Sequence, residues 1–472
     1  MLGWRGFQLR RVRAVAALIA LAVLWAAAPP AAGAKIKLPP VERTELDNGM
    51  VVLVLSDGRL PLVNMKLAIW GGSASDPEGQ DGVCSLTASL VRKGAGLRTA
   101  GQIAEMVEFM GGRLDSYARK DMSIVEAEFL AKDFDSGISL LGDIALRPSF
   151  APEEFQREKA KTIGVLEQVP DDPYDLADRE FDMFLMGAHP YAHPTNGTIA
   201  SVKGLSLEDV RGYHDVYYRP QRAVLAVVGD VKPEDVVKAV REIFGGWERS
   251  GEERSYPPPL AAGDEMRILL IDKPDATQTQ IRIGNVAVSR ADPDYVPLYV
   301  ANVLFGGGFT SRLIDEIRVT RGLSYSPHSR LYALASGGEF VIKEYTRNEQ
   351  AMETVDVTMD LVSGLRDQEV PAAELDKTKN YINGLFPLRL ERPESLAETL
   401  LQVELYGLGD DYVERFPEEV NAVTAQKLLE VVRKHVAHDR STFTLVGVAG
   451  ELEEPLSKYG EVEVREIGGE GE

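Results

Sequence analysis

Cysteine is almost absent from this chain. Cys84 is the single thiol in 472 residues, which excludes an internal disulfide in any compartment. Histidine is scarce as well: the six, His189, His193, His214, His328, His435 and His438, form neither an H-x-x-E-H nor an H-E-x-x-H arrangement. His189 with His193 and His435 with His438 have helix-like spacing, but Pro190 and Pro194 break the first pair as a helix, and the second sits at a helix end before a predicted strand. Both pairs read as surface or capping histidines. With no G-x-S-x-G elbow and no nearby histidine, Cys84, Ser85 and Ser89 read as a small buried thiol beside space-filling hydroxyls rather than as a nucleophile cluster. Gly306-Gly307-Gly308 lacks the lysine of a phosphate loop. Positive charge is in deficit: 52 Lys and Arg against 73 Asp and Glu give a net charge of −21. Such a surface argues against nucleic acid and anionic membrane as partners and leaves basic peptides as possible ligands.

Long apolar runs are also rare. The only one spans residues 14–28, preceded by Arg5, Arg10, Arg11 and Arg13 and followed by Pro29-Pro30 and the small-residue site Ala32-Gly33-Ala34. Its 15 residues fall short of the roughly 20 a membrane span requires. The pattern predicts a secretory signal peptide over residues 1–34. Its removal takes four arginines and shifts the net charge from −21 to −25. The mature chain is expected to be exported, periplasmic in a Gram-negative source, with no membrane span.

The length calls for two or more hydrophobic cores. Two similar halves are visible, residues 35–248 and 266–472, joined by a polar, Pro-rich linker over 249–265. The first opens with strand-like runs at Met50 to Leu55 and Leu62 to Trp70, the second at Met266 to Ile271 and Thr279 to Gly284. Helical patterns follow in both, and each half closes on another strand, Arg222 to Asp230 and Ser441 to Val448. This order predicts an α+β protein of two homologous α/β-roll domains, each a mixed sheet with helices on one face.

An ordered set of segments carries a resemblance: Gly111-Gly112, Asp171-Asp172-Pro173, His189-Pro190-Tyr191, Tyr217-Tyr218-Arg219-Pro220, Val228-Gly229-Asp230, Phe244-Gly245-Gly246-Trp247, Gly306 to Leu313 and Arg321 to Ser326. Together they resemble the pitrilysin and insulinase zinc peptidases, most closely the bacterial type related to the mitochondrial processing peptidase. In that frame the zinc motif H-x-x-E-H falls on Ser85, Ala88 and Ser89, none of which can serve as ligand or base. The third ligand, a glutamate in the family, falls on Val165, with Glu167 two residues away. No zinc is therefore expected in this chain.

What the resemblance leaves is a substrate-binding pair. In the family an Arg and a Tyr seven apart bind the substrate carbonyl and the developing oxyanion, and here they are Arg318 and Tyr325. The run Thr310 to Thr320 is helix-like and Gly322 a suitable stop, placing Arg318 in the last turn and Tyr325 at the start of an extended segment. The plainer alternative pairs Arg318 with Asp315 or a sheet carboxylate and puts Tyr325 in the core. Gly306, Gly307 and Gly308 either let a substrate backbone approach or form a tight helix entry. Arg113 to Val125 aligns with the edge strand to which family substrates add, although Asp115, Ser116 and Arg119-Lys120-Asp121 make it polar. The resemblance thus implies an exported non-catalytic subunit of a heteromeric zinc peptidase, acting on peptides in trans to an H-x-x-E-H partner that holds the zinc. The alternative is a pseudopeptidase that binds peptides or scaffolds a complex.

Overall fold

The computed structural model describes residues 38–467; the expected leader lies outside them. Two six-stranded mixed sheets organise the described residues. The first comprises β1 (Val41–Glu45), β2 (Val51–Ser56), β3 (Leu62–Trp70), β4 (Arg113–Ala118), β5 (Met122–Leu130) and β6 (Ala223–Gly229), in the order β1-β2-β6-β3-β5-β4. The second comprises β7 (Arg267–Asp272), β8 (Gln278–Ala287), β9 (His328–Ala333), β10 (Gly338–Arg347), β11 (Thr442–Gly447) and β12 (Val462–Glu466), in the order β9-β10-β8-β11-β7-β12. Read backwards, the second order reproduces the first for five strands; the sixth is the antiparallel N-terminal β1 in one sheet and the parallel C-terminal β12 in the other. In each, the strand that closes the half lies parallel to the one that opens it and antiparallel to the long second strand. The apolar runs read as strands from the sequence are strands to within a few residues. β1 and β12 were not anticipated, because VERTE and VEVRE are short, polar edge strands without an apolar face.

The helices used below are α1 (Val83–Val91), α2 (Phe134–Leu146), α3 (Pro152–Leu166), α4 (Pro173–Met186) and α5 (Pro233–Phe244) in the first half. In the second they are α6 (Ala372–Arg389), α7 (Pro393–Tyr406) and α8 (Ala425–His435). Side chains alternate across a strand, and β3 divides accordingly. Val63, Met65, Leu67 and Ile69 join the core made with α1, α2 and α5 of the same half, while Asn64, Lys66 and Trp70 point to the opposite face. That face is covered by the other half: α7 lies on β3 and β6, and in return α4 lies on β8 and β11. Leu176 and Ala177 of α4 pack with Leu269, Ile271 and Val446. The sequence reading placed helices on one face of each sheet; the second face takes a helix from the other half.

Each exchanged helix also brings a carboxylate to a buried cation. Lys66 Nζ lies 3.1 Å from Glu398 of α7 and 3.3 Å from Glu126. Arg282 Nε lies 2.5 Å from Asp178 of α4, whose other oxygen is 2.8 Å from Lys343 Nζ. Lys66 faces Ala226 across the ladder and Arg282 faces Thr444. The two cations therefore hold equivalent places in the two sheets.

The segment 249–265 has no regular structure, yet it is pinned to both halves. Trp70 Nε1 donates to the Ser255 carbonyl at 2.8 Å, Tyr256 packs edge-on against Trp70, and Leu260 N–H donates to the Ser336 carbonyl. This explains why the described residues form one compact unit.

Asp178→Ala removes the carboxylate that ion-pairs with both the fully buried Arg282 and Lys343, a change that costs about 3–5 kcal/mol. Denaturant unfolding should show a lowered midpoint. Adding Arg282→Met should restore part of the loss, and strictly additive effects would mean that the pair does not interact.

Candidate functional site

Helix α1 carries Ser85, Ala88 and Ser89, the positions on which the resemblance places the zinc motif. Asp76, seven residues upstream of it, caps its N-terminus: the carboxylate accepts from Gly82 N–H at 2.7 Å and Cys84 N–H at 3.0 Å. Burial pushes this carboxyl up to about 7. Ser85 and Ser89 lie one turn apart and half-buried, whereas Ala88 is fully buried. Ser85 Oγ donates to Asn196 Oδ1 at 2.9 Å, and Ser116 Oγ of the edge strand β4 donates to the Ala88 carbonyl. Cys84 is wholly buried with its sulfur 3.3 Å from Ser123 Oγ; burial, then the charge of Asp76, pushes its thiol up to about 12. A thiol in that state is no nucleophile.

The third-ligand position lies on α3, which packs against α1. Val165 is 50% exposed, and Glu167 is the exposed C-cap residue of the same helix. The carboxylate that α3 does turn inward is Glu158, and it is held by Lys93 at 2.9 Å. Sequence reasoning missed Asn196 and Glu158 because each acts through a contact distant in the chain, and it missed Asp76 because its cap reaches across a six-residue turn rather than from the residue next to the helix. Among the described residues no group of three or more His, Cys, Asp or Glu is placed to hold a metal ion. Ser85, Ala88, Ser89 and Val165 do not fit zinc: two hydroxyls, a methyl and an isopropyl group supply no imidazole or carboxylate.

Three of the histidines sit in structural roles. His189 caps a short turn by accepting from Tyr191 N–H, His193 lies 3.0 Å from Asp81, and His435 at the end of α8 lies 2.9 Å from Asp294.

In the second half, residues 312–320 are helical and wind as a π-helix over Ile314–Thr320. Gly322, with φ +64°, ends the segment. Arg318 is in its last turn, as the sequence predicts. Tyr325 occupies a bend, not the start of an extended segment, because the strand begins only at His328. The guanidinium of Arg318 lies over the Tyr325 ring at 4.4 Å and 5.8 Å from the Phe309 ring. Tyr325 is 68% exposed, so it is not a core tyrosine, and no carboxylate of the described residues pairs with Arg318. A Cβ on Gly306 would come within 2.6 Å of Ser329 N and 2.5 Å of Leu313. The first glycine of the triplet is thus required by packing against β9. Gly307 and Gly308 have looser surroundings, near Asn302 and Val303.

The profile described as Insulinase (Peptidase family M16) matches residues 51–198, and that described as Peptidase M16 inactive domain matches residues 204–382. The chain belongs to the M16 insulinase family. An uncharacterized zinc protease of Mycobacterium leprae is 29% identical over 392 residues, 82% of this chain and 87% of the relative. The uncharacterized zinc protease YmxG of Bacillus subtilis is 22% identical over 412 residues, 87% and 99% of the two chains. A crystal structure of a peptidase M16 inactive domain from Pseudomonas fluorescens superposes with a TM-score of 0.82 at 24% identity, covering 86% of this chain and 98% of that one. A protease from Helicobacter pylori gives 0.81 at 20% identity, covering 87% and 100%. These likenesses confirm the α+β, two-sheet M16 fold.

Two outcomes follow from this geometry. Native protein should leave Cys84 unmodified by a thiol reagent and release one reactive thiol on unfolding. The combined change Ser85→His, Ala88→Glu and Ser89→His should give no peptidase activity in the chain alone. It should also unfold more easily, because a glutamate at the fully buried Ala88 overpacks the core at a cost of about 1–3 kcal/mol. Robust hydrolysis by this variant would show that the rest of the metal site had survived.

Proposed function

We propose that this chain is the non-catalytic subunit of a heteromeric zinc peptidase, exported by its leader, which supplies Arg318 and Tyr325 to peptide bound at the metal of an H-x-x-E-H partner. The observation that carries this reading is the contrast between two M16 sites in one chain. The metal positions carry groups with no metal chemistry, while the half-buried Arg318 stacks on the exposed Tyr325 and neither side chain has a hydrogen bond among the described residues. The guanidinium packs against rings, which leaves its N–H donors and the phenol O–H for a ligand.

The chemistry suits that task. The guanidinium offers fixed, permanently charged N–H donors, and the phenol offers one directed O–H. Stacking of one on the other limits the rotamers of both, so less order is lost when a peptide carbonyl arrives. Donors aimed at an oxygen that gains charge in the transition state act on turnover more than on binding. Metal activation of water belongs to the partner in this scheme; this chain binds and polarises the carbonyl.

Co-expression with an H-x-x-E-H homologue, followed by peptide hydrolysis with and without zinc, tests the proposal. In the complex Tyr325→Phe should lower kcat on the order of a hundredfold with a smaller change in KM, and Arg318→Ala should be worse. Zinc content and assembly should stay the same. If both variants assemble and turn over normally, the trans-acting role is wrong and a peptide-binding or scaffold role replaces it.

A further inference from the structure

Arg290 follows β8 by three residues and is 8% exposed. Its guanidinium is sandwiched by two aromatic rings, with Cζ 4.1 Å from the Tyr295 ring centre and 5.0 Å from that of Tyr412. One Nη donates to the Tyr412 hydroxyl at 2.6 Å. Among the described residues no carboxylate pairs with it. The contrast with the equally buried Arg282, which has Asp178, is informative. A buried guanidinium with five N–H donors normally finds an anionic partner or several carbonyls, and Arg290 has a single phenol.

The unused donors of Arg290 have space in front of them. It lines two adjoining cavities, of about 500 and 570 Å³, which share Arg290, Tyr295 and Tyr412. The larger one is walled by Tyr299, Phe386 and Phe416, and Arg389 of α6 stands exposed at its edge with no ion pair among the described residues. Both guanidiniums are near enough to Tyr295 to act on its phenol. The other cations in this cavity are neutralised, Lys66 and Arg119 by Glu398, and Glu394 is held by Arg392. What is left unbalanced is two arginines facing an aromatic chamber in a protein with a net charge of −21. Neither Arg318 nor Tyr325 lines either cavity.

We infer that the larger cavity is a binding site for an organic carboxylate bearing an aromatic or large apolar side group, the chemistry of a peptide's C-terminal residue. The planar fork of Arg290 matches a carboxylate bidentately, Arg389 closes on the same charge from the rim, and the ring-lined space takes the apolar group. Its size lies in the range usual for small-ligand sites. This inference needs no partner subunit and stands apart from the trans-acting role of Arg318 and Tyr325.

The test uses the mature chain alone, titrated calorimetrically with N-acetyl-L-phenylalanine, its amide, and a tetrapeptide ending in phenylalanine with a free or an amidated C-terminus. The free acids should bind at least about tenfold more tightly than the matching amides. Tighter binding of the tetrapeptide acid than of the small acid identifies a peptide terminus as the source, and the reverse identifies a free aromatic acid; both support the carboxylate site. Arg290→Met should abolish the preference for acid. Because that residue is buried, Arg389→Ala, on the surface, provides the second arm: it should weaken the acids by about tenfold without changing the unfolding midpoint. Equal affinity for acid and amide, no binding of either up to about 10 mM, or an unaltered acid affinity in Arg389→Ala would overturn the assignment.

Discussion

The exchange of helices between the halves is the constraint on which the remaining structure rests. Each sheet buries one face on its own helices and would leave the other exposed with a cation at its centre, Lys66 in one and Arg282 in the other. Neither charge is tolerable inside without a carboxylate. Glu398 and Asp178 come from helices that belong to the opposite half, so each half completes the interior of its twin. Burial pushes the carboxyl of Glu398 up, but Arg119 and Lys66 outweigh it and hold it below its ordinary value. A buried ion pair contributes little net stability over an apolar pair of the same shape, yet breaking one is expensive. Its effect here is on specificity: a half that docked in a different register would strand two charges.

The strands were legible because strand periodicity is local. Leu62 to Trp70 and the pairs of opening and closing strands follow from a run of apolar residues bounded by turns, and the two-half organisation follows from their repetition. The exchange was not legible, since nothing in Pro173–Met186 or Pro393–Tyr406 says whose sheet each helix covers. Lys66 and Arg282 in the middle of apolar strands were the available signal. A lone cation at the same place in two repeated strands asks for an acid, and Asp178 and Glu398 lie in the equivalent helices of the two halves.

The candidate site divides in the same way. That Ser85, Ala88 and Ser89 cannot bind metal is a statement about side-chain chemistry and needs no coordinates once the resemblance has placed them. How the helix survives without metal is tertiary. Asp76 caps α1, Asn196 takes the hydroxyl of Ser85, and the inward Glu158 of α3 is satisfied by Lys93, so none of these polar groups depends on an ion. For Arg318 and Tyr325 the sequence left two accounts open, ligand-directed or structural. What separates them is the exposure of Tyr325 and the missing ion pair of Arg318, which only the fold can show.

Loss of a metal site removes the reason to keep its ligands, but it does not remove the reason to keep a fold. If the chain served only as a scaffold, exposed polar groups away from packing contacts would be under no restraint, because surface substitutions of that kind usually change stability by less than about 0.5 kcal/mol. Tyr325 is such a group, and Arg318, half-buried against the rings of Tyr325 and Phe309, has no carboxylate partner among the described residues. Gly306 is different, since Ser329 and Leu313 leave no room for a side chain and packing alone accounts for it. Groups without metal chemistry at Ser85, Ala88, Ser89 and Val165 and unpaired donors at Arg318 and Tyr325 are what the proposed division of labour calls for, whereas a scaffold requires neither.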